Sequence, residues 1–165
     1  MKKILWLVLL ISLACLANAS DKDPRSSNGI HYPHGWRTWS VIAVSHRRDN
    51  KTLRVILGNK VAIKAARSGK THPWPNGTML AKVVWKDTQM KEWKSATVPG
   101  QFVHVEFMLK DSRKYSKTYG WGWARWIGRE QRPFNKGPEI CISCHSPVKK
   151  RDWVYTKPAV FPKFR

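Results

Sequence analysis

Two stretches of alternating residues decide the fold: Thr78-Met79-Leu80-Ala81-Lys82-Val83-Val84-Trp85-Lys86 and Gln101-Phe102-Val103-His104-Val105-Glu106-Phe107-Met108-Leu109. Successive side chains point to opposite sides of a β-strand, so a period of two residues predicts a strand. In the first stretch one face carries Met79, Ala81, Val83 and Trp85, and the other carries Leu80, Lys82 and Val84. In the second, His104 shares a face with Glu106 and Met108, which favours a surface or hydrogen-bonded histidine over a metal ligand.

Segments rich in β-branched and apolar residues predict further strands at residues 39–45, 52–57 and 121–127. The turn cluster at 48–51 joins the first two of these strands into a hairpin. Residues 153–156 are predicted to return to the edge of the sheet. We therefore expect an α+β protein, mainly β, with an antiparallel sheet, a few short helices and a C-terminal segment that carries the chemistry described below.

One helix is predicted at Lys60–Arg67, because Asn59 is a good N-cap and Ser68-Gly69 can end the segment. Two prolines and an Asn-Gly pair predict a loop at 72–77. Core packing is the expected role of the three tryptophans in the last long strand, Trp121, Trp123 and Trp126.

The N-terminal residues have the pattern of a secretory signal peptide. Lys2 and Lys3 precede an apolar run at 4–13, and residues 17–19 form a small-residue cleavage site. Cys15 raises the alternative of a lipid anchor, which the cleavage site downstream of it disfavours. Export to the periplasm is the expected outcome. The predicted organisation is a signal peptide at 1–19, an extended arm at 20–35 and one domain at 36–165.

Near the C-terminus the chain contains Cys141-Ile142-Ser143-Cys144-His145. Two cysteines separated by two residues and followed at once by histidine are typical of haem attachment, in which the thiols bind the porphyrin and the histidine ligates iron. A redox disulfide and half of a zinc site are the alternatives, but a zinc site would need further ligands in matching pairs. We predict one covalent haem c, with Cys141 and Cys144 as attachment residues and His145 as the iron ligand.

The position of this motif in the chain indicates how the second axial position of the haem iron is filled. Small electron-carrying cytochromes place the motif early and use a later methionine as second axial ligand, but no methionine follows His145. Upstream, Met79, Met90 and Met108 lie in or beside strand-like segments. We therefore expect an open or exchangeable sixth position on the iron.

The chain is strongly basic, with 31 lysines and arginines against 10 acidic residues and a formal charge of +21. Such a surface attracts acidic proteins, anionic membranes or nucleic acid. Export makes nucleic acid an unsuitable partner, which leaves an acidic redox partner protein as one expectation and a generally basic exported protein as the alternative.

The order of several segments resembles the cytochrome P460 family, whose relatives include the β-sheet cytochromes c′. The resemblance runs from about Trp39 to Phe161 and includes the aromatic strand and the haem motif. Its other segments are Leu53-Arg54-Val55, Asn76-Gly77-Thr78 with Lys82, Lys110-Asp111-Ser112, and Asp152-Trp153-Val154-Tyr155-Thr156.

The resemblance implies roles for two further residues. In P460 members a lysine is bonded to a meso carbon of the haem, and this lysine corresponds to Lys82; the alternative is a lysine that extends to the sheet edge. The distal arginine corresponds to Arg54, which could hold an anion or donate hydrogen bonds to a bound nitrogen oxide; the alternative is a surface arginine on an edge strand. Glu130 and Glu139 are candidates for a pocket carboxylate, although solvated acids are the simpler interpretation. A homodimer formed through the sheet is also implied.

Three functions stay open at this point. The first is an oxidoreductase acting on hydroxylamine or nitric oxide, with Arg54 and Lys82 as catalytic residues. The second is a binding protein for nitric oxide without turnover. The third is simple electron transfer, which the missing second axial ligand disfavours.

Overall fold

The computed structural model describes residues 25–162. The predicted signal peptide and the first residues of the arm lie outside this range. Among the described residues, no helix has the length and apolar character needed to cross a bilayer.

In the described part of the chain, six antiparallel strands form one sheet in which each strand pairs with its neighbours in the sequence. Most connections between neighbouring strands are short, but residues 59–78 form a longer one that contains a helix. This topology confirms the prediction of a mainly β protein with an antiparallel sheet. The strands are β1 (Ser40–Arg47), β2 (Thr52–Gly58), β3 (Met79–Gln89), β4 (Thr97–Lys110), β5 (Trp121–Ile127) and the short β6 (Arg132–Pro133).

The helices are short. Helix α1 (Lys60–Arg67) confirms the predicted bounds, and the Asn59 side chain caps it by accepting from the Ala62 N–H at 3.0 Å. Helix α2 (Glu139–His145) contains the cysteine motif. Single 3₁₀ segments occur at Trp36–Thr38, Arg48–Asn50, Ser116–Thr118 and Ser146–Arg151.

Both faces of the sheet are covered. On one face Ala81 and Val83 of β3 lie in a core that includes Ile30 and Tyr32 from the arm. The arm therefore packs on the sheet over the described part of its length. On the other face Leu80 lies in a second core, which α1 and the C-terminal segment complete. The alternation predicted for β3 is confirmed.

The predicted tryptophan packing is also confirmed, since Trp121 and Trp126 are fully buried and Trp123 is 4% exposed. They do not share one core, because alternation along β5 sends Trp126 to the arm side and the other two to the α1 side.

Residues 153–156 do not form a strand, so the prediction that they return to the sheet edge is wrong. Trp153 has a positive φ of 64°, which breaks the extended backbone before the apolar residues can pair. Val154 instead enters the second core, where it is 2% exposed. The chain reaches β1 only later, where the Ala159 N–H donates to the Ile42 carbonyl at 2.8 Å.

Asn59→Ala tests whether one side chain ties α1 to the sheet. Its Oδ1 also accepts from the Met79 N–H at 3.1 Å, and its Nδ2 donates to the Gly77 carbonyl at 2.9 Å. We expect the free energy of unfolding to fall by about 1–2 kcal/mol, the upper end of a cap substitution. Urea unfolding of the holoprotein measures this loss, with the exposed Lys64→Ala as control. Equal losses in the two variants would refute the claim that the Asn59 side chain holds α1 to the sheet.

Candidate haem-attachment site

The cysteine motif is presented on helix α2, which follows Pro138 and is closed by a hydrogen bond from the Ile142 N–H to the Pro138 carbonyl at 3.0 Å. Cys141 and Cys144 are three residues apart, a spacing that places them on neighbouring positions of one helix side. Both thiols are free; Cys141 is half-buried and Cys144 is exposed. Burial raises the pKa of the Cys141 thiol, and nearby Glu106 acts in the same direction.

His145 is the last residue of α2 and is held by one short hydrogen bond. Its Nδ1 lies 2.7 Å from the Trp153 carbonyl oxygen and therefore acts as the donor, which leaves Nε2 for a metal. The imidazole lies edge-on to Trp123 and Tyr155, with ring centroids 4.7 and 5.2 Å away. Burial lowers the pKa of His145. The neutral form that ligates a metal is therefore favoured.

A buried ion pair fixes the backbone that accepts the His145 hydrogen bond. Lys110 is 7% exposed, and its Nζ lies 2.6 Å from Asp152 Oδ1. The Trp74 N–H donates to the other carboxylate oxygen at 2.8 Å, and Trp121 Nε1 donates to the Asp152 carbonyl at 2.9 Å. Asp152 immediately precedes Trp153, so the end of β4 anchors the turn that orients the histidine.

A charged cluster crosses the sheet face against which Cys141 and Ile142 of α2 pack. Glu106 of β4 stands between Lys82 of β3 and Arg125 of β5 in the strand register. Its carboxylate pairs with Lys82 Nζ, lies 2.6 Å from an Arg125 nitrogen, and lies 3.3 Å from His104 Nε2. Burial alone would raise the pKa of Glu106, but the Lys82 charge, the His104 hydrogen bond and Arg125 together hold it well below its usual value. Glu106 is therefore an anion at neutral pH.

Arg54 of β2 lies on the same face, opposite Val84 and diagonal to Lys82 in the register. Sheet geometry puts such diagonal neighbours about 7–8 Å apart. Burial, followed by the nearby Arg47, lowers the pKa of Arg54, while Glu106 and Cys144 act in the opposite direction. Arg54 and Lys82 therefore lie on one face of the sheet, and their roles in a haem site stay predictions.

The carboxylate in this site is one that sequence analysis missed. Glu130 and Glu139, the two candidates near the motif, are both exposed. Glu106 was already placed on one face with His104 by the alternation of β4. The strand register that sets it beside Lys82 was the missing information. His104 is half-buried and hydrogen-bonded, in agreement with its predicted role.

The site has unfilled hydrogen-bonding capacity that suits a bound group. Among the described residues, Arg54 Nε, Arg125 Nε and Trp123 Nε1 are buried donors without a protein partner. Buried donors are normally satisfied, so these three on one sheet face favour an occupant that carries acceptors. Haem has carboxylate acceptors and an apolar ring, and the residues present fit it. A zinc site has no such support, because no group of three or more His, Cys, Asp or Glu in residues 25–162 could hold a metal ion.

One open cavity of about 950 Å³ lies elsewhere, between the start of β1 and α1. Three cations of α1, Lys60, Lys64 and Arg67, contribute to its wall. None of the residues around His145 lines it, so its size does not mark it as the haem site.

A sheet with the cysteine motif docked on one face, a histidine oriented by a backbone carbonyl and unfilled donors beneath it defines a β-sheet haem protein of the cytochrome class. A family profile described as Cytochrome P460 matches residues 33–156. The chain belongs to this family, which implies that it binds haem. No curated protein matches the chain.

Lys110→Met is expected to weaken the anchor beneath His145. Leaving the Asp152 carboxylate buried without its cation should cost about 3–5 kcal/mol of unfolding free energy. The double variant Lys110→Met/Asp152→Asn should recover part of that loss, because it leaves no buried charge. Urea unfolding of the holoproteins measures both, and a single-variant loss no larger than that of the exposed Lys114→Met would contradict the expectation.

Glu106→Gln is expected to leave Lys82 and Arg125 without their shared counter-charge, at a cost of about 2–4 kcal/mol because these cations are only partly buried. The folded-state pKa of Glu106 is depressed, so its stabilisation is present above the unfolded value of about 4.3 and is lost as pH falls toward the folded value. The stability gap between wild type and variant should therefore narrow below about pH 4. Urea unfolding from pH 7 to pH 3 measures this gap, and a constant gap would refute it.

Proposed function

We propose that this chain is a periplasmic c-type cytochrome that oxidises a small nitrogen compound, hydroxylamine or nitric oxide, at a single covalent haem. Cys141 and Cys144 form the thioethers and His145 is the proximal iron ligand. The observation that carries the proposal is the meeting of this motif with Arg54, Lys82 and an ionised carboxylate on one sheet face. When bound, the haem supplies an electron acceptor and an open coordination position for the substrate.

Arg54 is the distal hydrogen-bond donor in this proposal. Its Nε is buried without a protein partner, and its guanidinium stays protonated in proteins despite a lowered pKa. A preorganised cationic donor stabilises negative charge that develops on the oxygen of a bound nitrogen compound. Arg54 therefore orients the substrate and does not take its protons.

Glu106 is the proton acceptor. Oxidation of hydroxylamine releases protons along with electrons, and a positioned carboxylate accelerates such steps by about 10²–10⁴-fold. The His104 hydrogen bond and the Arg125 charge, which do not depend on Lys82, favour the ionised form of Glu106, so it can accept a proton at neutral pH. The side chain is 17% exposed, which lets the proton pass on to solvent.

Lys82 is bonded to the haem in this proposal, as in P460 members of the family. Its ammonium must lose a proton before that bond can form, and the Glu106 carboxylate beside it is a suitable acceptor. Replacing the hydrogen of the meso carbon by the lysine nitrogen also releases two electrons, so the bond requires an external two-electron oxidant such as a peroxide. Once joined, Lys82 no longer carries the ammonium that pairs with Glu106, so its charge changes at the centre of the site.

Mass spectrometry of the digested holoprotein tests the covalent assignments. We expect one haem on the peptide with Cys141 and Cys144, and the Lys82 residue linked to the same haem. Lys82→Arg should release that link and change the haem absorption spectrum, whereas the exposed Lys86→Arg on the same strand should change neither. Recovery of Lys82 in an ordinary unlinked peptide would remove the P460-type assignment.

Mixing the oxidised holoprotein with hydroxylamine separates enzyme from binding protein. We expect haem reduction and product formation in wild type, and at least about a tenfold slower reaction in Glu106→Gln. Nitric oxide binding should be retained in that variant, because Arg54 is unchanged. Tight nitric oxide binding without any reaction of hydroxylamine would instead assign the non-enzymatic, gas-binding function.

A further inference from the structure

An aromatic pair connects the histidine site to the surface on the side away from the charged cluster. Trp153, whose carbonyl accepts the His145 hydrogen bond, stacks on Tyr119 with ring centroids 4.1 Å apart and planes at 23°. Trp153 is half-buried and Tyr119 is 57% exposed. The stack therefore extends from the residue that orients the histidine to solvent.

Both members of this pair have an unfavourable backbone. Tyr119 has a φ of 60° and Trp153 a φ of 64°, in the left-handed region that bulky residues rarely occupy. Such strain persists only where the surrounding structure holds it, and it is concentrated at functional positions. Here the Gly120 N–H and the Thr118 hydroxyl tie the loop around Tyr119 to the Tyr115 and Trp121 carbonyls at 2.8 and 2.7 Å.

Exposed cations lie on both segments that meet at the stack. The loop before Tyr119 and the 3₁₀ segment before Trp153 carry Arg113, Lys114, Lys117, Lys149 and Lys150. The nearby acids are already engaged, since Asp111 accepts from the Arg113 and Lys114 N–H groups and Asp152 is paired with Lys110. The Trp153 N–H donates to the Val148 carbonyl at 3.1 Å, which holds the second cationic segment against the stack.

We propose that the Tyr119–Trp153 stack and the exposed cations on the two segments beside it are the docking surface for an acidic, one-electron-carrying protein. This rests on the proposed redox function of the haem site. The holoprotein loses one electron and the oxidised partner gains it, and no bond forms or breaks. A redox protein fits this surface better than a lipid bilayer does. The stack connects the surface to the histidine of the haem site, and a lipid does not accept an electron from that site.

The hairpin turn between β3 and β4 provides a matched control. It also exposes an aromatic residue, Trp93, at 66%, and it carries the exposed cations Lys91 and Lys94. It lies at the other end of β3, about 30 Å away at the rise of a strand. The double substitutions Lys114→Glu/Lys117→Glu and Lys91→Glu/Lys94→Glu therefore make the same change in charge at two distant places.

The test uses holoprotein reduced with dithionite, so its outcome does not depend on hydroxylamine turnover. The probe is an oxidised acidic blue-copper protein, and the measurements are the rate of electron transfer and the binding affinity at increasing salt. We expect Lys114→Glu/Lys117→Glu to slow the reaction at low salt by about tenfold or more and to flatten its salt dependence. A second variant on the other side of the stack, Lys149→Glu/Lys150→Glu, should do the same, and the hairpin variant should have little effect.

Tyr119→Asn tests the stack apart from the charges, because asparagine tolerates the left-handed backbone. We expect slower electron transfer with unchanged binding affinity. An equal loss in Lys114→Glu/Lys117→Glu and in the hairpin variant Lys91→Glu/Lys94→Glu, or no loss in either, would overturn the docking surface. Binding to vesicles with anionic lipid that depends on Lys114 and Lys117, without binding of the acidic protein, would assign the surface to a membrane instead.

Discussion

The C-terminal half of the site depends on the contacts of one residue, Asp152, whose carboxylate forms a buried ion pair. One oxygen is paired with Lys110 at the end of β4, the other accepts from Trp74, and the residue's carbonyl accepts from Trp121 of β5. These contacts join three separate parts of the chain at one point. A buried ion pair contributes little net stability by itself, but its geometry is demanding. The turn that it fixes sets the carbonyl that orients His145.

The sheet side of the site depends on a different interaction, the charged cluster around Glu106. There the sheet places Glu106 among cations on a face that is otherwise apolar, where an unpaired charge would be costly. The flanking strands each supply one of the counter-charges, Lys82 and Arg125, so the register of three strands determines whether the carboxylate is ionised. Cys141 and Ile142 of α2 pack against the apolar residues of this face and cover part of it. The same covering leaves arginine and tryptophan donors unfilled, which is tolerable in a site that holds a ligand.

Local sequence was sufficient for the features that depend on neighbouring residues. Alternation predicted β3 and the central part of β4, and the Asn59 cap predicted α1. These signals follow from backbone geometry within a few residues. The attachment role of Cys141, Cys144 and His145 stays a prediction. The prediction of a strand at residues 153–156 was wrong because it also used local sequence alone. A run of apolar and β-branched residues indicates a strand, but the left-handed backbone at Asp152 and Trp153 depends on contacts with Lys110 and Tyr119, which are distant in sequence.

Long-range pairing also explains why Glu106 was overlooked and two exposed glutamates were considered. Proximity in sequence to the motif is a poor guide when the site is assembled across strands, because a shift of one residue in register turns a side chain to the other face. The extended bounds of β4 have a similar cause. Pro99 and Gly100 indicate a strand end, yet the register irregularity beside Trp85 lets Pro99 pair with Asp87. Gly100 packs so closely on Thr88 that a Cβ there would clash with the threonine hydroxyl. The charged face and the anchored histidine are therefore properties of the assembled sheet, and the chemistry of the motif depends on both.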